Sequence, residues 1–280
     1  MFIGAHQSIA GGIYKSIGRA VADGCESLRS FVKNSNRWVG KALTSDEIGR
    51  FKALASDFGK EKICSHASYL INLASPDIKM YEKSIDGMCE ELERCTKLGI
   101  KYYVIHPGSH LGEGEKKGIN RIMEALDTVY SNNNFNTVTL LETTAGQGTN
   151  LGYKLEHIKD IISGSSAKDK LGICLDSCHM FSAGYDIVGN YETVMQRVFD
   201  MFEEKVKVIH INDSKKEFGS RLDRHERIGK GTIKIGFFDK LVNDKRFDNI
   251  LGVLETPLNK GESYLDEVNI LKKLRNKKNL

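Results

Sequence analysis

The chain has 280 residues, 40% of them hydrophobic and 28% charged, with a formal net charge of +4 and a pI near 8.6. That is ordinary globular composition with enough chain for a large core, and no segment approaches the ~18 consecutive apolar residues that would indicate a membrane span. The mildly basic balance is compatible with nucleic acid but falls short of the basic stripe that would by itself indicate it.

Taken in order, short β-rich runs alternate with amphipathic helical patterns. The start, Met1-Phe2-Ile3-Gly4-Ala5-His6, lacks the regions of a signal peptide and enters a first strand over Phe2–His6. A helix around Ile13–Ala22 follows, then a strand over Ser27–Lys33, a helix near Asp46–Asp57 and a strand over Lys62–His66. Ser75-Pro76-Asp77 reads as a helix start, with Ser75 as cap and Pro76 at the first helical position. Ile78, Tyr81, Ile85, Met88, Leu92 and Cys95 then share one helical face, and Gly99 ends it.

The fourth strand, Lys101–His106, precedes a helix carrying Ile119, Ile122, Met123, Leu126 and Val129. A strand over Thr137–Glu142 leads to a helix near Lys154–Ile162. Strand six is Leu171–Asp176, and its helix carries Tyr191, Val194, Met195, Val198 and Phe202. Strand seven is Lys205–His210. A long loop and a short helix lead to strand eight, Ile250–Glu255, and a helix near Tyr264–Leu274 follows. Five positive charges in Lys272-Lys273-Leu274-Arg275-Asn276-Lys277-Lys278 read as a solvated helix end.

Eight strand-helix units imply a parallel sheet, and in a chain of this length they favour a closed (β/α)₈ barrel. A doubly wound open sheet is the rival, but Ala10-Gly11-Gly12 is a weak match to its phosphate-binding turn. Prolines are scarce and no linker divides the chain, so residues 1–280 read as one domain. The six cysteines form no CxxC pair and read as reduced, buried thiols of a cytoplasmic protein.

The strand ends carry the chemistry. Strands three to eight finish on His66, His106, Glu142, Asp176, His210 and Glu255. In a barrel these ends converge on one face. Carboxylates gathered there would repel one another unless cations balance them. Further candidates lie in the loops: His179 follows Asp176 by three residues, and Asp223 and His225 lie two apart in an extended segment, hence on one side. The nine make five histidines, two aspartates and two glutamates. This donor set suits Zn²⁺, with Mn²⁺ or Fe²⁺ as alternatives. At about three protein ligands per catalytic zinc, nine ligands suggest about three metals. Such a centre suits phosphodiester hydrolysis.

These residues resemble the endonuclease IV family of abasic-site endonucleases. The similarity runs the length of the chain through "IGAHQSIAGG", "HASYLINLASP", "IHPGSHLG", "LLETTAGQGTNLG", "CLDSCHMFSAGYD", "HINDSK", "DRHERIGKG" and "LET". It implies a (β/α)₈ barrel with DNA-binding loops at the C-terminal face of the strands and three zinc ions. His66, His106 and Glu142 would hold the first; Glu142, Asp176, His210 and Glu255 the second; His179, Asp223 and His225 the third. Glu142 and Glu255 would be the catalytic carboxylates, Glu142 as the bridge between two metals and Glu255 with a secondary part in proton transfer. The implied reaction cuts duplex DNA 5′ to an abasic site, leaving a 3′-hydroxyl and a 5′-deoxyribose phosphate, with trimming of blocked 3′ ends. A monomer suffices for it.

The same resemblance points to Tyr69 and Leu70 as wedge residues, and to Ser109, His110 and Arg224 near phosphate. The family commonly has an arginine two positions before the tryptophan of the loop after strand two. Here that position is Asn36, with Arg37 one residue later, so either Arg37 takes over or lesion probing is weaker. Two other functions stay open: a metal-dependent sugar isomerase or epimerase on the same barrel, and a catalytically silent DNA-damage binder.

Overall fold

A computed structural model describes residues 1–276. Its elements are β1 (Phe2–His6), α1 (Lys15–Ala22), β2 (Ser27–Ser30), α2 (Ser45–Phe58), β3 (Ile63–His66), α3 (Ile78–Leu98), β4 (Tyr102–Ile105), α4 (Glu115–Ser131), β5 (Val138–Glu142) and α5 (Leu155–Gly164). They continue with β6 (Leu171–Asp176), α6 (Ser177–Ala183), α7 (Tyr191–Phe202), β7 (Val206–His210), β8 (Asp213–Ser214), β9 (His225–Glu226), α8 (Ile235–Val242), β10 (Leu251–Leu254) and α9 (Leu265–Asn276). The parallel strands close into a barrel in the order β1-β10-β7-β6-β5-β4-β3-β2.

Each barrel strand is buried on both faces, and its side chains alternate with a period of two. Cys64, Val104, Leu140, Cys174, Val208, Leu251 and Val253 form one apolar cluster in the barrel interior. Their neighbours Ile63, Tyr103, Leu141, Ile173, Leu175 and Ile209 belong to the larger cluster under the surrounding helices. The inward residues set the level of the site. Two positions beyond Cys64, Val104, Leu140, Cys174, Val208 and Val253 stand His66, His106, Glu142, Asp176, His210 and Glu255. One apolar layer thus floors a ring of histidines and carboxylates.

Local chemistry explains the helix limits and three departures from the sequence reading. Thr44 and Glu47 form a reciprocal capping box on α2. α3 starts on Asp77, whose carboxylate accepts the Met80 N–H at 2.8 Å, so Pro76 precedes the helix and the buried Ser75 is not its cap. Gly99 closes α3 in the left-handed region at φ 78°. β2 stops at Ser30, where its pairing with β3 ends, and Lys33 turns inward instead of extending the strand. His179 lies on the short helix α6 rather than in a loop, because Asp176 accepts its backbone N–H at 2.8 Å and caps that helix.

At the opposite end of the barrel, side chains of α9 bond to residues at the start of β1 and β2. Arg275 grips Glu26 with two hydrogen bonds of 2.8 Å, and Glu26 also accepts the Ile3 N–H at 3.0 Å. Lys272 donates to the Gly24 carbonyl at 2.6 Å. Two charges of the C-terminal run are therefore fastened to the barrel rather than solvated; Lys273 is exposed, and Lys277 and Lys278 lie outside the described residues. Burial alone would raise the Glu26 carboxyl, but the Arg275 guanidinium and the Ile3 N–H bring it down to about 2. A carboxylate held low stabilises the fold above its ordinary value of 4.5 and loses that contribution as pH falls toward 2. Glu26→Gln is expected to lower the melting temperature by roughly 2–4 °C near neutrality. Melts repeated at falling pH should show that gap narrowing below the ordinary glutamate value.

Candidate metal centre

The ring of strand ends is drawn into one cluster. His66 Nε2 lies 2.9 Å and His106 Nε2 3.4 Å from Glu142 Oε2. The other Glu142 oxygen, Oε1, is 3.0 Å from His210 Nδ1, which is also 3.2 Å from Glu255 Oε2 and 3.8 Å from Asp176 Oδ2. Toward the loops, His179 Nε2 is 3.1 Å and His225 Nε2 3.3 Å from Asp223, and His225 Nε2 is 3.7 Å from Asp176 Oδ2. All nine residues singled out in the sequence thus form one connected cluster. Six of them line a cavity of about 280 Å³, and Glu142, Asp176 and His210 lie fully buried against those six.

Each side chain is aimed by its surroundings. His66 Nδ1 meets the Ala67 carbonyl at 2.8 Å, and His179 Nδ1 meets the Thr143 carbonyl at 2.8 Å. His225 Nδ1 meets the Glu255 carbonyl at 3.3 Å. Donation of Nδ1–H to a carbonyl leaves Nε2 as a lone pair facing the cluster, the usual arrangement of a metal-binding imidazole. The loop holding Asp223 and His225 is anchored by the buried Asp213, whose carboxylate accepts the N–H groups of Ser214, Gly229, Gly231 and Ile233 at 2.8–3.0 Å. The two-residue ladder of β8 with β9 then sets His225 in place.

The electrostatics call for cations. Burial would raise Glu142, but the charges of His210 and His106 and hydrogen bonds to His106 and His179 hold it well below the usual carboxylate range. Burial likewise works against His179 and His210, yet neighbouring carboxylates raise both, His179 far above its ordinary value. Asp223 is lowered against its burial by His179. Protons on imidazoles here neutralise carboxylates, a task that divalent cations do better. His225 Nε2, which faces Asp176 and Asp223, is among the buried polar atoms with no hydrogen-bond partner. The donor set, the aimed Nε2 atoms and this orphan together fit metal. Cys174 and Cys178 also touch the cluster, but burial pushes Cys178 up to about 12 and Cys174 well above its ordinary value, which keeps both thiols neutral.

The family model for xylose isomerase-like TIM barrels matches residues 17–274. A Geotalea daltonii protein named probable endonuclease 4 is 45% identical over 276 residues, spanning 96% of this chain and 95% of that one. The crystal structure of endonuclease IV from Thermus thermophilus superposes with a TM-score of 0.87 at 30% identity, covering 98% of both chains. The chain belongs to the endonuclease IV family. Membership makes it a metal-dependent nuclease, a hydrolase. A D-tagatose 3-epimerase-like protein also superposes, with a TM-score of 0.74 over the full length of both chains, but at 18% identity that likeness shows the barrel alone.

The sequence reading missed two residues of this endonuclease IV site. Arg29, 3% exposed on β2, places Nε 2.9 Å from Glu255 Oε1 and Nη1 2.7 Å from His6 Nδ1. The Nε contact is an ion pair whose angle does not make a hydrogen bond, since both atoms lack a hydrogen-bond partner. Burial would raise Glu255, but the charges of Arg29 and His210 bring it down to about 2. Burial and then Arg29 push His66 down to about 4 and His6 to about 3. Asn212, two residues past His210, donates to Asp176 Oδ2 at 2.7 Å and accepts the Glu255 N–H at 2.9 Å, so it holds the Asp176 carboxylate and the Glu255 backbone together. Its only signal in the sequence was its place just beyond a strand end.

Of the seven positions singled out for DNA, only Tyr69 lines the cavity, exposed at its rim with its ring edge-on to Phe31 at 5.6 Å. Leu70 is half-buried beside it, and Asn36 and Arg37 are exposed on the neighbouring loop. Arg224 is exposed and shares the Gln147 side chain. Ser109 bonds Thr149, and His110 Nδ1 accepts the Gly112 and Gly114 N–H groups, so both organise their own loop. His157 is likewise structural, between Glu115 and the Gly152 N–H.

Zinc added to metal-stripped protein at a hundredfold excess over its Kd is expected to raise the melting temperature by roughly 5–10 °C. Most of that rise should disappear in Glu142→Ala. Superimposable melts with and without zinc would contradict the assignment.

Proposed function

We propose that this chain incises duplex DNA on the 5′ side of abasic sites through a three-zinc centre, leaving a 3′-hydroxyl and a 5′-deoxyribose phosphate. It also trims blocked 3′ ends, and it acts as a monomer. The observation that carries this reading is the position of Glu142, whose two carboxylate oxygens face different groups: His66 and His106 on one side, His210 on the other.

His66, His106 and Glu142 would hold the first ion. Glu142, Asp176, His210 and Glu255 would hold the second, and His179, Asp223 and His225 the third. Bound zinc supplies a water acidic enough to attack at neutral pH and positive charge for the phosphoryl and departing oxygens. The protein contributes position and charge. Arg29 directs Glu255 Oε1 away from the cluster and leaves Oε2 toward His210, which favours Glu255 as an ionised ligand over Glu255 as a proton carrier. The apolar floor beneath the ring excludes water from below. At the rim, Tyr69 and Leu70 fill the gap left by a missing base, with Asn36 and Arg37 beside them and Arg224 toward the backbone.

None of the nine candidate ligands is replaced, which speaks against a silent damage binder. The third group, His179, Asp223 and His225, has no purpose in a sugar epimerase that needs one or two metals. Purified zinc-loaded protein should nick a duplex carrying a tetrahydrofuran abasic analogue, leave an extendable 3′-hydroxyl, and spare the intact duplex. Binding of the lesion duplex without nicking would reinstate the silent binder. Glu142→Ala should lose two zinc equivalents together, read by metal analysis, and at least about a hundredfold in kcat. Loss of a single equivalent with activity retained would remove the shared carboxylate from the account.

A further inference from the structure

The loop carrying Asn36 and Arg37 and the loop carrying Tyr69 and Leu70 come from different strands, yet one carboxylate holds both. Glu91 of α3 is 1% exposed and lines no part of the metal cavity. Its Oε1 lies 2.6 Å from Lys33 Nζ. Its Oε2 accepts the Ser68 N–H at 3.1 Å and the Tyr103 hydroxyl at 2.8 Å. Lys33 in turn donates to the Arg37 carbonyl at 2.6 Å. A chain of three polar contacts therefore joins the backbone at Arg37 to the backbone next to Tyr69.

The rest of the first loop is fastened to the same helix. Arg94 donates to the Lys41 carbonyl at 2.8 Å, and Glu90 accepts the Gly40 N–H at 3.3 Å. Trp38 lies over Gly87, where a methyl group would come within 3.2 Å of the ring, and Lys83 Nζ caps that ring at 4.7 Å. Gly40 is needed for the close approach: a Cβ there would meet the Arg94 guanidinium and Lys33 Cβ at 2.6–2.8 Å. These contacts press the loop against α3, and Glu91 adds a buried polar link from it to the second loop. A buried ion pair is weak evidence for stability, because desolvation offsets most of its attraction. A buried pair that ties together two loops which otherwise meet through apolar contacts such as Phe31 on Tyr69 has a positional use.

We propose that Glu91 is a positioning residue for lesion recognition, which locks the Asn36–Arg37 turn and Tyr69 into one rigid unit before DNA arrives. This rests on the reading that these loops contact abasic DNA. Pre-set loops spend less of their binding free energy on ordering. Without the lock, discrimination of the lesion falls, while general attraction to the phosphate backbone and the chemistry at the cluster do not.

The test compares Glu91→Gln and the double variant Lys33→Met/Glu91→Gln with the parent, all zinc-loaded. The double variant removes both charges together, so no lone buried charge is left to unfold the chain. KM for the abasic duplex is expected to rise about tenfold. Two other readouts, kcat and the Ki of intact duplex as competitor, should stay within about twofold of the parent. KM and Ki moving together, kcat falling at constant KM, or no change in any of the three would each overturn the proposal. A parent protein that fails to nick the abasic duplex overturns the functional reading on which this one stands. A parent that nicks it, with variants of unaltered KM, overturns the coupling alone.

Discussion

The parity of the barrel strands governs this molecule. Side chains alternate inward and outward every second residue, and six strands place an apolar residue inward and then a histidine or carboxylate two positions on. The apolar layer, Cys64 to Val253, packs the barrel. The polar layer cannot pack, because ionised groups need partners. A shift of one residue in any strand would send its metal-ligand candidate outward under the helices. Register therefore sets both the stability of the core and the completeness of the site.

Electrostatics follow from that placement. Glu142, Asp176 and Glu255 are brought together with His66, His106 and His210 in a space largely closed to water. Glu142, Glu255 and Asp223 stay ionised against their burial, and His179 and His210 are pulled toward protonation. The cluster holds more negative charge than its own side chains neutralise comfortably. Arg29 relieves part of the excess from the β2 side. Backbone carbonyls and Asn212 use up the competing hydrogen bonds, so that the remaining lone pairs point at one another.

The two ends of the barrel divide the work. At the N-terminal end of the strands, Glu26, Arg275 and Lys272 fasten α9 to the barrel, and their contacts serve the fold. At the other end the loops carry the chemistry, each supported from below: Asp213 under the Asp223–His225 loop, Asp176 capping the helix of His179, Glu91 under the loops of Arg37 and Tyr69. The epimerase-like barrel shows that the scaffold is shared beyond this family. Function lies in what is mounted on it.

Much of this was legible in the sequence. Alternating strand and helix patterns specified the barrel, and the strand-end residues from His66 to Glu255 announced a polar ring because strand ends converge whatever the intervening helices do. His179, Asp223 and His225 were readable as candidates by residue type, but neither α6 nor the β8–β9 ladder was, since both depend on contacts made by single carboxylates. Arg29 and Glu91 were invisible as functional residues. Each lies within an unremarkable strand or helix pattern, and its partners Glu255 and Lys33 are distant in sequence. Local periodicity decides which way a side chain faces; only closure of the barrel decides which distant side chain it meets, because that depends on the packing of all eight strands at once.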